Sequence, residues 1–276
     1  SDLLAPAPFF ALAFVFGLIN VWFQRPNAIG GWSPDRTIGE RLAGAGWALG
    51  TYLQTAFLPV KLRFVYPPWP TGTDTALFYV PLAAILAGIA FLVVAWSRWS
   101  WTRSVSAGLG YHAMMLLPIL GFLDIAYLRI GPVSNHLQYL ALMGPVSLLA
   151  AGASMAARRY RLVPWLVAAA LIALGAYTFH RASAFENDLS LWESAVREAP
   201  DSALAHSELA NELYNRGRLE DSLRELEETI RHANEPEVRS LYRSLWYFYG
   251  GRCPEAVAMA GETLRIARIP SIKRDA

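Results

Sequence analysis

Hydrophobic positions form long uncharged runs in the first two thirds of the chain and short amphipathic stretches after that. The runs without Asp, Glu, Lys or Arg cover residues 3–24, 42–60, 75–97, 104–123, 137–157 and 162–180. Because a helix rises about 1.5 Å per residue, roughly 20 apolar residues cross the hydrocarbon core of a bilayer. A soluble helix turns one face to water and rarely stays uncharged over this length. The pattern predicts a membrane domain of about six hydrophobic helices over residues 1–184.

The distribution of charge divides the chain at the same place. Residues 1–184 hold 12 Lys/Arg and 5 Asp/Glu, whereas residues 185–276 hold 12 and 17, so the two parts carry net charges of +7 and −5. With 54% hydrophobic and 17% charged residues, the chain is neither one soluble globule nor a disordered protein. A single cysteine excludes a disulfide scaffold. The arginines are scattered and form no basic run, which argues against a nucleic-acid partner.

Arginines in two short turns predict the orientation in the membrane. The turn 98–103 contains two arginines, the turn 158–161 contains three, and neither contains an acid. Short basic loops stay on the cytoplasmic side, and two crossings separate these turns, which is consistent with a shared side. Residues after His180 then lie on the opposite side. We therefore expect a multi-pass protein of the bacterial inner membrane whose C-terminal part faces the periplasm, or the lumen in a eukaryote.

The run 42–60 allows two placements. Small and polar residues recur at helical spacing from Thr37 to Thr55, opposite large apolar residues. A helix that spans within a bundle has this pattern, and so does a helix that lies in the membrane interface. Spanning puts 8 basic residues in cytoplasmic short loops and 3 in outer ones, against 5 and 6 for the interfacial placement. The charge count therefore favours spanning.

Residues 185–276 are internally repetitive, and the spacing between matching positions is that of tetratricopeptide repeats, or TPRs. A glycine allows the tight turn inside each helix pair, a small residue lets the second helix approach the first, and a proline ends the pair. We predict a short α-solenoid with a half repeat at 185–202 and full repeats at 203–236 and 237–270. The aromatic residues 242–249 either are buried between repeats or line a peptide-binding surface. The predicted structural positions are Trp192, Pro200, Gly217, Ser222, Pro236, Gly251, Ala256 and Pro270.

Three stretches, in this order and followed by the repeats, resemble the transmembrane-and-tetratricopeptide (TMTC-type) O-mannosyltransferases and their bacterial relatives, which are GT-C glycosyltransferases. The stretches are 41–67, with its Leu58-Pro59 and Tyr66-Pro67, then 121–140, and then 188–200. The resemblance implies an all-α fold, a polytopic helical bundle followed by a TPR solenoid. It also implies transfer of a sugar from a polyprenyl-phosphate carrier to a protein, with the repeats binding the acceptor or a partner.

The chain departs from this family in two ways. Asn135 precedes His136 where the family's outer-loop motif is expected to hold an acid, and an amide cannot act as a base. The catalytic carboxylate of the family is expected in a first large outer loop, but Asp2 is the one acid before the first run. We therefore expect a C-terminal part that lacks the catalytic loop, with no catalytic residue and no transferase activity of its own. The resemblance leaves room for a divalent cation, although no metal-ligand spacing is evident.

Seven polar residues of the predicted outer loops are candidates for binding a lipid-linked phosphate or sugar. Arginine can grip a phosphate with two hydrogen bonds, and histidine or an amide can bond sugar oxygens. Each also has a structural alternative, such as an acid–arginine pair, a helix cap or a snorkelling side chain. The alternative function is a non-enzymatic membrane anchor whose repeats recruit a periplasmic partner. The candidates are Asp124, Arg129, Asn135, His136, Gln138, Lys61 and Arg63.

Overall fold

A computed structural model describes residues 37–60, 62–67, 69, 75–122, 131–233 and 236–266, together with residues 8, 11–12 and 15–19. The regular structure of these residues is entirely helical, and they contain no strand. The predicted all-α fold is therefore confirmed. The run 3–24 lies mostly outside the described residues, although residues 15–19 are helical.

Between residues 37 and 182, the described residues form five α-helices and three short 3₁₀ turns. Two segments, Ala76–Ala95 and Val163–Phe185, are long and apolar enough to cross a membrane. They contain α2 and α5, and nearly all of their side chains are exposed rather than packed inside the protein. The other predicted crossings stay predictions. The helices are α1 (Ile38–Phe57), α2 (Val80–Ala95), α3 (Ser100–Leu116), α4 (Met143–Arg159) and α5 (Val163–Ala182), and the turns are Ala76–Tyr79, Leu117–Ile119 and Asn135–Gln138.

Helices α3 and α4 pack antiparallel with almost no space between their backbones. A Cβ on Gly144 would overlap the carbonyl oxygen of Gly108, so the crossing requires glycine. His112 is fully buried beside it and its Nδ1 lies 2.9 Å from the carbonyl oxygen of Ala141. A carbonyl only accepts, so Nδ1 carries the proton, and Nε2 has no hydrogen-bond partner among the described residues. Small residues at this crossing are typical of helix packing in membranes.

Helix α1 packs against one end of the bundle. A capping box between Thr37 and Glu40 starts the helix. Its residues from Gly39 to Tyr52 then meet the beginning of α2, the end of α3 and the segment before α4, all at the same end of these helices. The buried contact set is Ala45, Ala48 and Tyr52 on α1 with Leu116, Leu120, Val133 and Ala141. This helix is not one of the two segments that are long and apolar enough to cross a membrane, and both placements of the run 42–60 stay predictions.

Five further helices follow in sequence, and each of the last four packs on the one before it. A short 3₁₀ turn, Ser183–Phe185, leads from α5 into them. Side-chain caps start two of them, because Asn187 Oδ1 accepts from Ser190 N–H and Ser202 Oγ accepts from Ala205 N–H. The helices are α6 (Asp188–Glu198), α7 (Ala203–Asn215), α8 (Leu219–His232), α9 (Pro236–Tyr249) and α10 (Cys253–Ile266).

The turn between α7 and α8 recurs, one repeat later, between α9 and α10. Gly217 and Gly251 have φ angles of 75° and 73°, the left-handed region that glycine adopts without strain. In both turns the glycine N–H bonds three residues back and the following arginine N–H bonds five residues back, which is the Schellman motif. Arg218 and Arg252 each bond the acid three residues on, and this hydrogen bond lowers the pKa of Asp221 and of Glu255.

The small residues of the repeat also face the neighbouring helix. Ser222 on α8 is fully buried and donates to the carbonyl oxygen of Ala210 on α7, at 2.7 Å. Ala256, at the matching position on α10, is buried too. Ala195 and Thr229, which also match, are both buried and both accept the backbone bond that closes their helix, from Ala199 and Ala233. The period of the sequence is thus present in burial and hydrogen bonding. Pro270 lies outside the described residues.

Candidate functional site

Three segments that are far apart in sequence meet at the end of the bundle that α1 covers. They are the loop 62–67, the segment 133–138 and residues 185–192 at the start of α6. We call this meeting place, together with the residues of α1 that touch it, the junction. It contains four of the seven candidate residues, namely Arg63, Asn135, His136 and Gln138, whereas Lys61, Asp124 and Arg129 lie outside the described residues.

Asn135 ties two of these segments together with both ends of its amide. Its Oδ1 accepts a hydrogen bond from the Tyr66 hydroxyl, and its Nδ2 donates to the backbone carbonyl oxygen of Arg63, each at 2.8 Å. A carbonyl oxygen needs a donor, so the orientation of the amide is determined. An acid at this position would lack that donor. The structure therefore gives a local reason for the amide that departs from the family pattern.

Tyr66 is a hydrogen-bond donor at neutral pH. Burial raises the pKa of its hydroxyl, and this effect outweighs the bonds to the Arg63 backbone and to Asn135, which lower it. The phenol therefore stays protonated and keeps its bond to Asn135. Gly131 lies against the backbone of Tyr66, since a Cβ there would come within 3.0 Å of its carbonyl oxygen. The loop and the segment are in close contact along their backbones.

Gln138 attaches the segment 133–138 to α1. Its side chain is 3% exposed and uses both amide groups, because Oε1 accepts from Thr55 Oγ1 at 3.0 Å and Nε2 donates to the Tyr52 carbonyl oxygen at 2.7 Å. The hydroxyl of Tyr52 accepts from the Ser134 N–H at 2.9 Å. Buried polar groups that are fully paired in this way fix one arrangement of the chain. Gln138 is therefore a positioning residue of the junction.

His136 and Arg63 are the candidates on the accessible side of the junction. His136 is exposed, and its Nδ1 lies 2.7 Å from Ser134 Oγ. Arg63 is half-buried and its backbone carbonyl is held by Asn135. These two described candidates carry ionisable side chains beside the segments that Asn135 and Gln138 hold together. Their role toward a phosphate or a sugar remains a prediction.

Aromatic contacts and one ion pair join the junction to the repeats. The ring of Phe64 meets Trp192 edge-on with centroids 5.4 Å apart, and it meets Phe185 at 6.1 Å. At the end of α5, Arg181 forms a two-pronged ion pair with Glu198 of α6, with N–O distances of 2.6 and 3.0 Å. Bidentate pairs fix orientation as well as distance. The last helix of the bundle and the first helix after it are therefore held in a defined relation.

Trp192 thus has a second partner that the repeat pattern did not reveal. The repeat pattern marks it as a helix-packing residue, whereas the structure also places it against the loop 62–67. Tyr52, Phe64 and the Arg181–Glu198 pair were not identified from the sequence. No local signal distinguishes them, because each contact joins residues 17 to 128 positions apart.

Two aromatic residues of α9 contact the preceding repeat, and a third is exposed. Tyr249 stacks on Tyr214 of α7 with ring centroids 3.8 Å apart, and its hydroxyl bonds Asn211 at 3.3 Å. The Tyr242 hydroxyl donates to Ser207 Oγ at 3.3 Å. These contacts join the first helices of successive repeats. Phe248 is 52% exposed and remains available to a partner.

No group of three or more His, Cys, Asp or Glu side chains in the described part of the chain is arranged to hold a metal ion. In comparisons with known proteins, no family model matches the chain, and no curated protein or solved structure is significantly similar to it.

Proposed function

We propose that the chain is the membrane-embedded, repeat-bearing part of a glycosyltransferase-like protein. In this proposal the helices of the first part lie in the bacterial inner membrane, and the TPR-type repeats face the periplasm. The repeats bind the protein acceptor, and the junction holds them at a fixed orientation above the bundle. The sugar comes from a polyprenyl-phosphate carrier, and no residue of this chain is assigned a catalytic role.

The observation that carries the proposal is the convergence of three stretches. The stretches that carry the resemblance to the O-mannosyltransferases contribute Tyr66, Asn135 and Trp192, and these residues belong to one connected set of contacts. A shared junction is expected if these stretches act as a unit that couples the membrane helices to the repeats.

The position of the junction, at the end of the bundle opposite the arginine-rich turns, supports an outer-face assignment. Ile38, Leu58 and Val60 are apolar and strongly exposed at the two ends of α1. Trp47 stacks on Trp69 nearby, with ring centroids 5.8 Å apart. Tryptophans are enriched at the interface between lipid and water. The arginine-rich turns lie at the opposite ends of α3 and α4, on the side assigned to the cytoplasm.

A second candidate function is a non-enzymatic anchor whose repeats recruit a periplasmic partner. The side chains of Asn135 and Gln138 favour it, because each uses a donor and an acceptor within the protein. On this view the junction is a rigid support and nothing more. The two functions share the topology and the repeats, and they differ in whether protein-linked sugar depends on the chain.

Glycoproteomics of the source organism separates the two functions. Deletion of the gene should remove glycans from a defined set of periplasmic peptides if the first proposal holds. Restoring the gene with Trp192→Ala, which removes the contact with Phe64, should return only part of that glycosylation. Restoring it with Trp165→Ala, an exposed tryptophan of α5, is the matched control and should return all of it. An unchanged glycan profile after deletion would overturn the glycosyltransferase proposal and leave the anchor.

A further inference from the structure

His206 on α7 is a buried imidazole whose two nitrogens both face acceptors. Nδ1 lies 2.6 Å from Glu225 Oε2 on α8, and Nε2 lies 2.8 Å from the backbone carbonyl oxygen of Pro200 in the turn between α6 and α7. The residue is 6% exposed. A carbonyl oxygen and a carboxylate both require donors, and a neutral imidazole has one. The arrangement therefore requires the doubly protonated, positively charged ring.

Two acids of α8, Glu225 and Glu228, reinforce this charge. On α8, the ring of His232 stacks on that of His206 with centroids 5.8 Å apart, and Glu228 lies 3.6 Å from His232 Nε2. Glu225 and Glu228 thus both act on the ring from α8. The next helix, α9, approaches through the Tyr242 hydroxyl, which bonds the neighbouring Ser207. Burial by itself lowers the pKa of His206, but the bonds to Glu225 and Pro200 and the charges of both acids outweigh it, so the pKa is raised from 6.5.

We infer that His206 is a pH-dependent clasp that holds the turn after α6 against α8 when it is charged and releases it when it is neutral. Loss of one proton leaves one nitrogen without a hydrogen to donate. Either the bond to the Pro200 carbonyl or the bond to Glu225 is then lost. Helix α6 is fixed to the membrane part by the ion pair between Arg181 and Glu198. The clasp therefore controls how tightly the remaining repeat helices are attached to α6.

The direction of the pH effect follows from the raised pKa. Below about 6.5 the ring is charged in the folded and in the open state, so the full contribution to stability is present. As the pH rises through the folded-state pKa, the ring loses its proton and the contribution disappears. Between the two pKa values the equilibrium constant for opening rises by up to roughly tenfold per pH unit. A periplasm that becomes alkaline would loosen the repeats, and an acidic one would hold them.

The second repeat offers a natural replacement for the clasp. The positions that match His206 and Glu225 in the second repeat are Ser240 and Met259, whose Oγ and Sδ atoms lie 3.4 Å apart. Ser240 is buried there as His206 is in the first repeat. This pair occupies the same place in the fold and does not titrate. The double variant His206→Ser with Glu225→Met therefore transplants a packing that the chain already uses.

The test is hydrogen–deuterium exchange of the full chain in nanodiscs at pH 6.0 and 8.5, corrected for intrinsic exchange rates. In the wild type, opening of residues 199–206 should increase at the higher pH, because the pKa of folded His206 is raised, while α3 and α4 stay unchanged. The double variant should show the same opening at both pH values. Equal pH dependence in the wild type and the double variant would overturn the inference, as would a wild type that does not respond to pH.

A single variant keeps the inference testable if the transplanted pair does not fold. Glu225→Gln retains an oxygen that can accept from Nδ1 but removes the charge that favours the protonated ring. The midpoint of the opening transition should then move to lower pH. His232→Gln, which removes the stacked neighbour and leaves both acceptors of His206, is the matched control and should retain a transition. A midpoint that is unchanged in Glu225→Gln would contradict the clasp.

Discussion

Replacing Asn135 with Asp tests whether the junction is held by the amide. The variant restores the type of residue expected from the O-mannosyltransferase pattern, and it changes one NH₂ group into an oxygen. It removes the 2.8 Å bond from Nδ2 to the Arg63 carbonyl and sets a carboxylate oxygen against that carbonyl. The bond from the Tyr66 hydroxyl is kept and becomes charge-assisted. The structure therefore predicts a less stable junction, even though the residue would match the family better.

The expected cost can be worked from these two bonds. Losing the donor and leaving a half-buried carbonyl unsatisfied costs about 1–3 kcal/mol. The stronger bond from Tyr66 returns about 0.5–1 kcal/mol. We therefore expect Asn135→Asp to lower the free energy of unfolding by roughly 1 kcal/mol at pH 7. The deficit should shrink as the pH falls below about 4, because a protonated carboxyl can donate to the carbonyl again.

The assay is denaturant titration of the full chain in detergent micelles, followed by tryptophan fluorescence. Asn187→Asp is the matched control, since Asn187 caps α6 with its side-chain oxygen alone, accepting from Ser190 N–H at 3.0 Å. Asp caps helices as well as Asn does, and its charge is favourable at a helix N-terminus. The control should stay within about 0.5 kcal/mol of the wild type. Equal or greater stability of Asn135→Asp at pH 7 would refute the reasoning.

Two further pairs of glycine variants test the packing of each part of the chain, measured as differences in the free energy of unfolding. Gly144→Ala should cost about 1–3 kcal/mol because its Cβ overlaps the Gly108 backbone. Gly152→Ala, on the same helix, has open space around its Cβ and should be neutral or stabilising. Equal effects of the two variants would contradict the tight crossing. Gly217→Ala should cost about 1 kcal/mol because the φ angle of Gly217 is 75°. Gly261→Ala, inside α10, should not lower the free energy of unfolding. A neutral effect of Gly217→Ala would contradict the Schellman turn.

The hydrophobic pattern identified the helices but left some of their boundaries displaced. The uncharged runs 75–97, 104–123 and 162–180 overlap α2, α3 and α5, because long apolar stretches without breakers have few other solutions. The run 137–157 begins instead in the 3₁₀ turn Asn135–Gln138, and its α-helix runs over Met143–Arg159. An uncharged boundary gives no information on where a turn becomes a helix.

The placement of α1 shows what a periodic pattern leaves undecided. The face of α1 that carries small residues predicts close contact with another segment, but the sequence does not identify that segment. The structure supplies the partners at one end of the bundle, and the placement of α1 relative to a membrane stays a prediction. The charge count that favours spanning depends on loops with few basic residues, because moving three arginines changes it from 8 against 3 to 5 against 6.

The sequence named polar loop residues as candidates but predicted neither that they meet nor how they pair. Four of the seven candidates lie at the junction. Asn135 and Gln138, however, turn both ends of their amides toward the protein, and their partners lie 69 to 86 residues away. A single sequence does not reveal pairs at such distances. The repeats were easier to find, because each turn is a local motif with glycine at a fixed place.

Labelling of the one cysteine tests the central claim most directly, because Cys253 is exposed at the start of α10. A membrane-impermeant maleimide applied to intact spheroplasts should modify it without permeabilisation. In a Cys253→Ser background, Tyr160→Cys in the arginine-rich turn should be modified only after the membrane is opened. Protection of Cys253 in intact spheroplasts, with labelling only after permeabilisation, would place the repeats in the cytoplasm and contradict the account.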